Sequence, residues 1–428
     1  MKFTRRNFFR SASLLATLSL SEWGRFATAA AAPVPAAKGT SIVTDDAFWH
    51  NVRLMFPLTR DLTYLNNGTF GPSPYPVIEA VKAGMMENDM NGQYGHWDET
   101  VKRLAEFVNA SKEEIALTHN VTEGINAGCK GIPLKRGDEV ILTNHEHMGN
   151  AMPWMSRQKQ DGIVLKTFAP GPTAADTLTR INELITKKTR AIAVPHIPCT
   201  QGQILPVKEI CTLARDKGLY SIIDGAHGPG MIPLDLHDIG CDTYASCSHK
   251  WMLGPKGTGF LYVRREFQDT LTPFAIGAGG DDGHWDLTTS PVTTGNYNDS
   301  ALRYFGGTQS NGLYAGVVAA IDFIESVGKE NVYNRIKYLG KYTQDSLLAI
   351  GDKVELLTPT EERSRAGVNG FRIKGVDFQK FFGTCMENRI RIRGVNENGL
   401  NSLRVSTHIY NNTEEIDMLM DLVKKATA

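Results

Sequence analysis

Residues 221–263 read SIIDGAHGPGMIPLDLHDIGCDTYASCSHKWMLGPKGTGFLYV, and three apolar runs set the rhythm of that stretch. Ser221–Ile223, Thr243–Ser246 and Phe260–Val263 are short and apolar or small throughout. The first is followed by Asp224-Gly225-Ala226-His227, the second by Ser248-His249-Lys250. Continuous rather than alternating apolarity predicts strands covered on both faces. The same kind of run recurs upstream at Ile115–Thr118, Val140–Thr143, Ile163–Thr167 and Ala191–Val194, with helix-length segments between. The pattern predicts an α/β domain of roughly 230 residues, a mostly parallel seven-stranded sheet between two layers of helices. A Gly/Asp-rich stretch, Gly277–Gly283, interrupts the alternation and reads as a functional loop. Beyond it, a helix is predicted over Asn311–Val327. Short strands at Gly370–Ile373, Arg389–Arg393 and Ser402–Val405 belong to a smaller C-terminal α+β domain.

Composition narrows the function without naming it. The 428 residues carry 46 basic and 46 acidic side chains, and 41% are apolar, which excludes wholesale disorder. No dense Lys/Arg block recommends nucleic acid as a partner. No apolar run approaches the length of a spanning helix. The charge balance is uneven along the chain. Residues 1–32 hold five basic residues against one acid, so the remainder has a formal charge of −4. Thr4-Arg5-Arg6-Asn7-Phe8-Phe9-Arg10, an apolar stretch from Ser11 to Leu20 and small residues from Ala27 to Ala32 read as a twin-arginine export signal. The expected address is the periplasm. That route carries folded proteins, so any cofactor would be loaded before export. The expected division is 1–32 signal, 33–63 N-terminal segment, 64–295 large domain and 296–428 small domain. The six cysteines are scattered, and His145-Glu146-His147 lacks a third ligand, so neither a disulfide framework nor a metal site is expected.

In open parallel sheets, ligands sit beyond the carboxyl ends of the strands. Three features gather there. Ser248-His249-Lys250-Trp251-Met252-Leu253-Gly254-Pro255-Lys256-Gly257-Thr258-Gly259 sets a lysine between hydrogen-bonding residues and a Gly-rich turn, a setting for a Schiff base. Asp224 ends the preceding strand. Thr122-Glu123-Gly124, at a helix start, offers free backbone N–H groups and a positive dipole end to a phosphate. An imine-forming lysine, an acid for a pyridinium nitrogen and a phosphate cup are the protein's share of pyridoxal-phosphate chemistry.

On these motifs the chain resembles the class V aminotransferase family, which includes cysteine desulfurases and isopenicillin N epimerase. The resemblance runs from Tyr64-Leu65-Asn66-Asn67-Gly68-Thr69-Phe70-Gly71 to Leu403-Arg404-Val405-Ser406, and the opening segment is most similar to the epimerase branch. It implies the aspartate aminotransferase-like fold of type I pyridoxal-phosphate enzymes and the cofactor pyridoxal 5'-phosphate. Lys250 would carry the cofactor and act as base at the substrate's α-carbon. Asp224 would pair with the pyridine nitrogen, and His147 would lie over the ring. Thr122, Glu123, Ser248 and His249 would hold the phosphate, with Gln201 and His227 supporting the cofactor. Arg404 would clamp the substrate carboxylate, with Asn67 also in the substrate site. Thr308, in Gly306-Gly307-Thr308, would reach the phosphate of a neighbouring subunit, which implies a homodimer.

The match departs in two places. Gly394–Asn401, where desulfurases carry a nucleophilic cysteine, has none, and Cys385 lies upstream of it. Cys199 stands where many relatives have an asparagine. The expectation is therefore an exported enzyme of aminotransferase or epimerase type, acting at the amino-bearing carbon of an amino acid or peptide-like, siderophore-related substrate. Desulfurase activity is not expected. The alternatives are a lyase or decarboxylase, or a silent ligand-binding protein of the same fold, against which the intact Asp224 and Lys250 argue. His96 is a candidate second acid/base.

Overall fold

The computed structural model describes residues 42–93, 97–304 and 306–428. The export signal, residues 33–41 of the N-terminal segment and His96 therefore lie outside the described residues.

A short strand β1 (Thr63–Tyr64) precedes the central sheet. The sheet is built from β2 (Ile115–Thr118), β3 (Glu139–Thr143), β4 (Val164–Phe168), β5 (Thr189–Pro195), β6 (Tyr220–Asp224), β7 (Thr243–Cys247) and β8 (Gly259–Val263). Its order is β2-β8-β7-β6-β5-β3-β4. β8 alone runs against its neighbours, antiparallel to both β2 and β7, and the other pairings are parallel. Every residue of β2, β3, β7 and β8 is buried, which is the physical reason for their unbroken apolarity. Helices on both sides divide the core into two layers, one centred on Ile141, Ile192, Ile223 and Tyr244, the other on Val140, Ile222, Ala245 and Leu261.

The smaller domain holds a four-stranded antiparallel sheet in the order β12-β13-β10-β9, from β9 (Val354–Leu356), β10 (Val368–Ile373), β12 (Arg393–Val395) and β13 (Ser402–Ser406). The single strand expected over Arg389–Arg393 is in fact two. β11 (Ile390–Arg391) pairs in parallel with β1, whereas β12 pairs with β13. The break falls at Ile392, where the chain changes partner.

Two close approaches aim the pocket. Asn66 bridges to Ser406, and the Gly71 N–H donates to His249 O at 2.8 Å, so residues 66–71 run between the small domain and the lysine turn. A Cβ on Gly71 would stand 2.3 Å from Lys250 O. At the end of β6, a Cβ on Gly225 would fall 1.8 Å from the buried ring of Tyr244, whose hydroxyl is 2.9 Å from His196 Nδ1. Gly225→Ala is thus expected to cost about 1–3 kcal/mol of stability by overpacking. Chemical denaturation would check this, and an unchanged midpoint would refute it.

Candidate active site

The carboxyl ends of β2, β3, β5, β6 and β7 converge on a cavity of 220 Å³, whose lining includes Thr122, His147, Asp224, His249, Lys250 and Arg404. These six are residues that the sequence singles out, gathered from segments up to 282 residues apart. Cys199, Cys247, Thr69 and Arg393 complete much of the wall. A larger cavity of 450 Å³ lies elsewhere, around Leu205 and Pro233, without this chemistry.

Asp224 is buried at the tip of β6, and the Ala226 N–H donates to its Oδ1 at 2.9 Å. That bond fixes the carboxylate and leaves acceptor capacity facing the cavity. His147 caps the helix Met148–Asp161, its Nδ1 accepting the Gly149 N–H at 3.0 Å. Burial and then Lys250 lower the pKa of His147, so the ring is neutral and presents an apolar face. A Cβ on Gly149 would come within 2.7 Å of Thr122 Oγ1, so the cavity needs a glycine there.

The start of the helix Val121–Gly131 is the part of the cavity suited to a phosphate. Asn120 caps it by accepting the Glu123 N–H at 3.0 Å. The Val121 and Thr122 N–H groups precede the first intrahelical bond and stay free for an anion. Opposite them, His249 Nδ1 is buried with no hydrogen-bond partner. An orphaned ring nitrogen beside a helix N-terminus and a lysine is the donor set that a phosphate ester satisfies. Burial, then Lys250 and Lys256, push His249 down to about 4, a penalty that a bound dianion would relieve.

Other expected residues take different parts. The Ser248 hydroxyl is committed to Thr258 Oγ1 and Pro255 O. Glu123 turns back to the His119 N–H at 2.6 Å. Gln201 donates to Gln203 Oε1 at 2.8 Å, away from the cavity lining. Asn67 is buried beneath the lysine turn, donating to Lys250 O and accepting from the Tyr410 hydroxyl. Thr308 is exposed and outside the cavity. His227 sits behind Lys250, its Nε2 3.2 Å from Nζ.

Arg404 is 1% exposed and finds only neutral partners: Cys199 O and Asn66 Oδ1, each at 2.9 Å, and Thr69 Oγ1 at 2.6 Å. Its Nε is buried and unpaired. Burial, reinforced by Arg393, pushes it down to about 9. A buried guanidinium without a carboxylate is incomplete, and a substrate carboxylate is the natural complement. Arg393 lines the same wall but is tied to Glu397, with Nη1 3.5 Å from Cys199 Sγ.

Sequence reasoning missed Glu146. It is buried behind Asp224, with Oε1 accepting from the Thr143 N–H and hydroxyl and Oε2 from Asn150. Burial, opposed in part by those bonds and aided by Asp224, raises its pKa from the ordinary 4.5 to about 8. The folded protein therefore holds this proton more tightly than the unfolded chain. The contribution is full below about pH 4.5 and is lost as pH rises toward 8, with a slope of at most about 1.4 kcal/mol per pH unit. Glu146→Gln should flatten stability across that window in denaturation curves taken at several pH values.

Comparison with known proteins decides the family. The profile described as "Aminotransferase class-V" matches residues 85–419. The chain belongs to the class V aminotransferase family. The chain is 28% identical over 401 residues to a probable cysteine desulfurase of Methanothermobacter thermautotrophicus, covering 88% of this chain and 97% of that one. It is equally 28% identical, over 396 residues, to the isopenicillin N epimerase of Amycolatopsis lactamdurans, covering 88% and 98%. Among solved structures, the cystine C–S lyase C-DES, in complex with its reaction product cysteine persulfide, superposes with a TM-score of 0.77 at 25% identity, covering 86% and 99%. A variant of that lyase is solved with glycine covalently linked to its pyridoxal phosphate. The fold is that of the type I pyridoxal-phosphate enzymes, and the cofactor is pyridoxal 5'-phosphate.

The expected reaction needs correction. An aminotransferase or epimerase acting on a siderophore-related substrate, with desulfurase chemistry set aside, does not stand against relatives and solved neighbours that are mostly named cysteine desulfurase. The comparisons support neither a siderophore substrate nor export. The loop at 394–401 is not the only source of sulfur chemistry in the protein. The pocket holds two thiols, Cys199 and Cys247, and a carbon–sulfur bond can also be broken without an enzyme thiol.

Proposed function

We propose that this member of the class V family breaks the carbon–sulfur bond of a cysteine-type amino acid by β-elimination. The observation that carries the reading is the conjunction of sulfur-handling relatives with a 394–401 loop that presents Glu397 rather than a thiol. Elimination needs no nucleophile from the protein. The proton on the substrate's α-carbon leaves to a base, the Cβ–S bond breaks and sulfur departs with the electron pair. From cystine and one water, the products are pyruvate, ammonia and cysteine persulfide.

Bound pyridoxal phosphate supplies the electron sink that makes the α-proton removable. The chain's own residues do the rest. Arg404 holds the substrate carboxylate and so fixes which α-bond is presented. The Lys250 amine takes the α-proton. Asp224 would hold the proton on the pyridine nitrogen, and the His147 ring would offer the cofactor an apolar surface. Loaded enzyme given L-cystine should yield pyruvate and persulfide in equal amounts. Alanine with sulfur retained on Cys199 or Cys247 would indicate desulfurase chemistry proper. Failure to form pyruvate, alanine or sulfide from either L-cystine or L-cysteine would sink the sulfur reading.

Two further readings are proposed separately. A homodimer is supported by the exposed large apolar side chains Phe274, Ile276, Trp285 and Leu287 and by the exposed Thr308. Sedimentation showing a fully active monomer would refute it. Export to the periplasm rests on residues 1–32 alone. Lysine at both Arg5 and Arg6 should retain the protein in the cytoplasm, and unchanged fractionation would remove the twin-arginine reading.

A further inference from the structure

His227 and Trp251 form a buried pair that the reaction outlined above does not use. His227 is 2% exposed and Trp251 fully buried. The indole N–H lies 3.0 Å from His227 Nδ1. An indole nitrogen is a donor only, so the direction of this bond is fixed and Nδ1 must carry a lone pair. The other ring nitrogen, Nε2, is 3.2 Å from Lys250 Nζ.

The charge state of the ring follows from its surroundings. Burial, and then Lys250, Arg404, His147 and Arg393, lower the pKa of His227 well below its ordinary value. A neutral imidazole with a lone pair on Nδ1 has its single proton on Nε2. That proton points at Lys250.

We propose that Trp251 locks His227 in the Nε2–H tautomer, making the imidazole a permanent donor that positions the Lys250 amine for the cofactor. A donor aimed at Nζ needs a lone pair there, which the amine has and the ammonium lacks. Held by that donor, the amine adds to the cofactor's aldehyde carbonyl, a condensation in which one water leaves. Trp251 is a positioning residue in this scheme, and it is itself held from outside the pocket. Its ring stacks on His408 at 5.5 Å and 24°, and His408 stacks on Tyr410 at 5.6 Å and 6°. His408 Nε2 also lies 3.1 Å from Trp251 O. The inference rests on the cofactor and not on which substrate bond is broken, so failure of the carbon–sulfur reading leaves it standing.

The test uses the cofactor-free full chain. Long-range ¹⁵N–¹H spectra of histidine-labelled protein between pH 6 and pH 9 should show His227 protonated at Nε2 and bare at Nδ1. The reverse tautomer in the wild type overturns the proposal, whatever the variants do. Cofactor uptake, followed by absorbance against pH, supplies the second readout. Trp251→Phe keeps the aromatic stack and removes the N–H, and should slow uptake at pH 7 by about tenfold, in line with the loss of one hydrogen bond. His227→Gln supplies an amide donor that needs no tautomer. In that background Trp251→Phe should change nothing further. An equal effect of Trp251→Phe in both backgrounds would mean the tryptophan matters only for packing, and would overturn the proposal.

Discussion

Replacing Lys250 by alanine is expected to lower turnover by about ten-thousand-fold, the upper range for loss of a positioned base. Nothing close by can substitute. His227 has its Nδ1 lone pair committed to Trp251, and His147 spends its Nδ1 on the Gly149 N–H. His249 and Lys256, the other bases nearby, are lowered by burial, but His249 lies at the phosphate end and Lys256 sits over the Phe70 ring, 4.4 Å from its centre. Two measurements separate the roles of the lysine. Steady-state pyruvate formation reads the base, and borohydride treatment followed by peptide mapping reads the covalent attachment. Loss of both is expected. Residual turnover within tenfold of the wild type would show that another group moves the α-proton.

Arg404→Ala should reduce kcat/KM by about 10²–10³-fold, in the range of 2–5 kcal/mol found on truncating one partner of a buried charge pair. Most of the loss should appear in KM, because the carboxylate contact exists before and during reaction, while cofactor affinity should change little. Arg404→Lys should recover only part of the loss. A lysine ammonium reaches as a point charge and cannot grip Cys199 O, Asn66 and Thr69 while also presenting a two-pronged face. If cofactor binding falls instead while KM is unchanged, Arg404 is not the clamp, and Arg393, on the same wall, becomes the residue to test.

The central sheet was legible because burial on both faces leaves a plain mark. Ile115–Thr118 and the helix Asn311–Val327 emerge with the bounds the sequence suggests. Asp224 and Lys250 were legible for a related reason, since a polar residue ending an apolar run at one rim has few structural explanations. What stayed hidden depends on partners distant in sequence. The split at Ile392 reflects two different neighbours for adjacent residues, β1 and β13. Ser248 reads as a phosphate ligand until Thr258 and Pro255 are seen to occupy its hydroxyl. The significance of Trp251 lies in a bond to His227, 24 residues away, and in a stack on His408. The reaction was misjudged from one missing side chain, and a missing side chain excludes only the route that uses it.

The stack of Trp251, His408 and Tyr410 also bears on how the protein is made. The lysine turn and the histidine that supports it are 157 residues apart in the chain. A ribosome adding about 5–20 residues per second needs about 10–30 s to cover that interval. During that time Lys250 has emerged without its aromatic backing. Productive capture of the cofactor is thus a late event, following release of nearly the whole polypeptide, and a nascent chain arrested before Tyr410 should remain colourless even in an excess of pyridoxal phosphate.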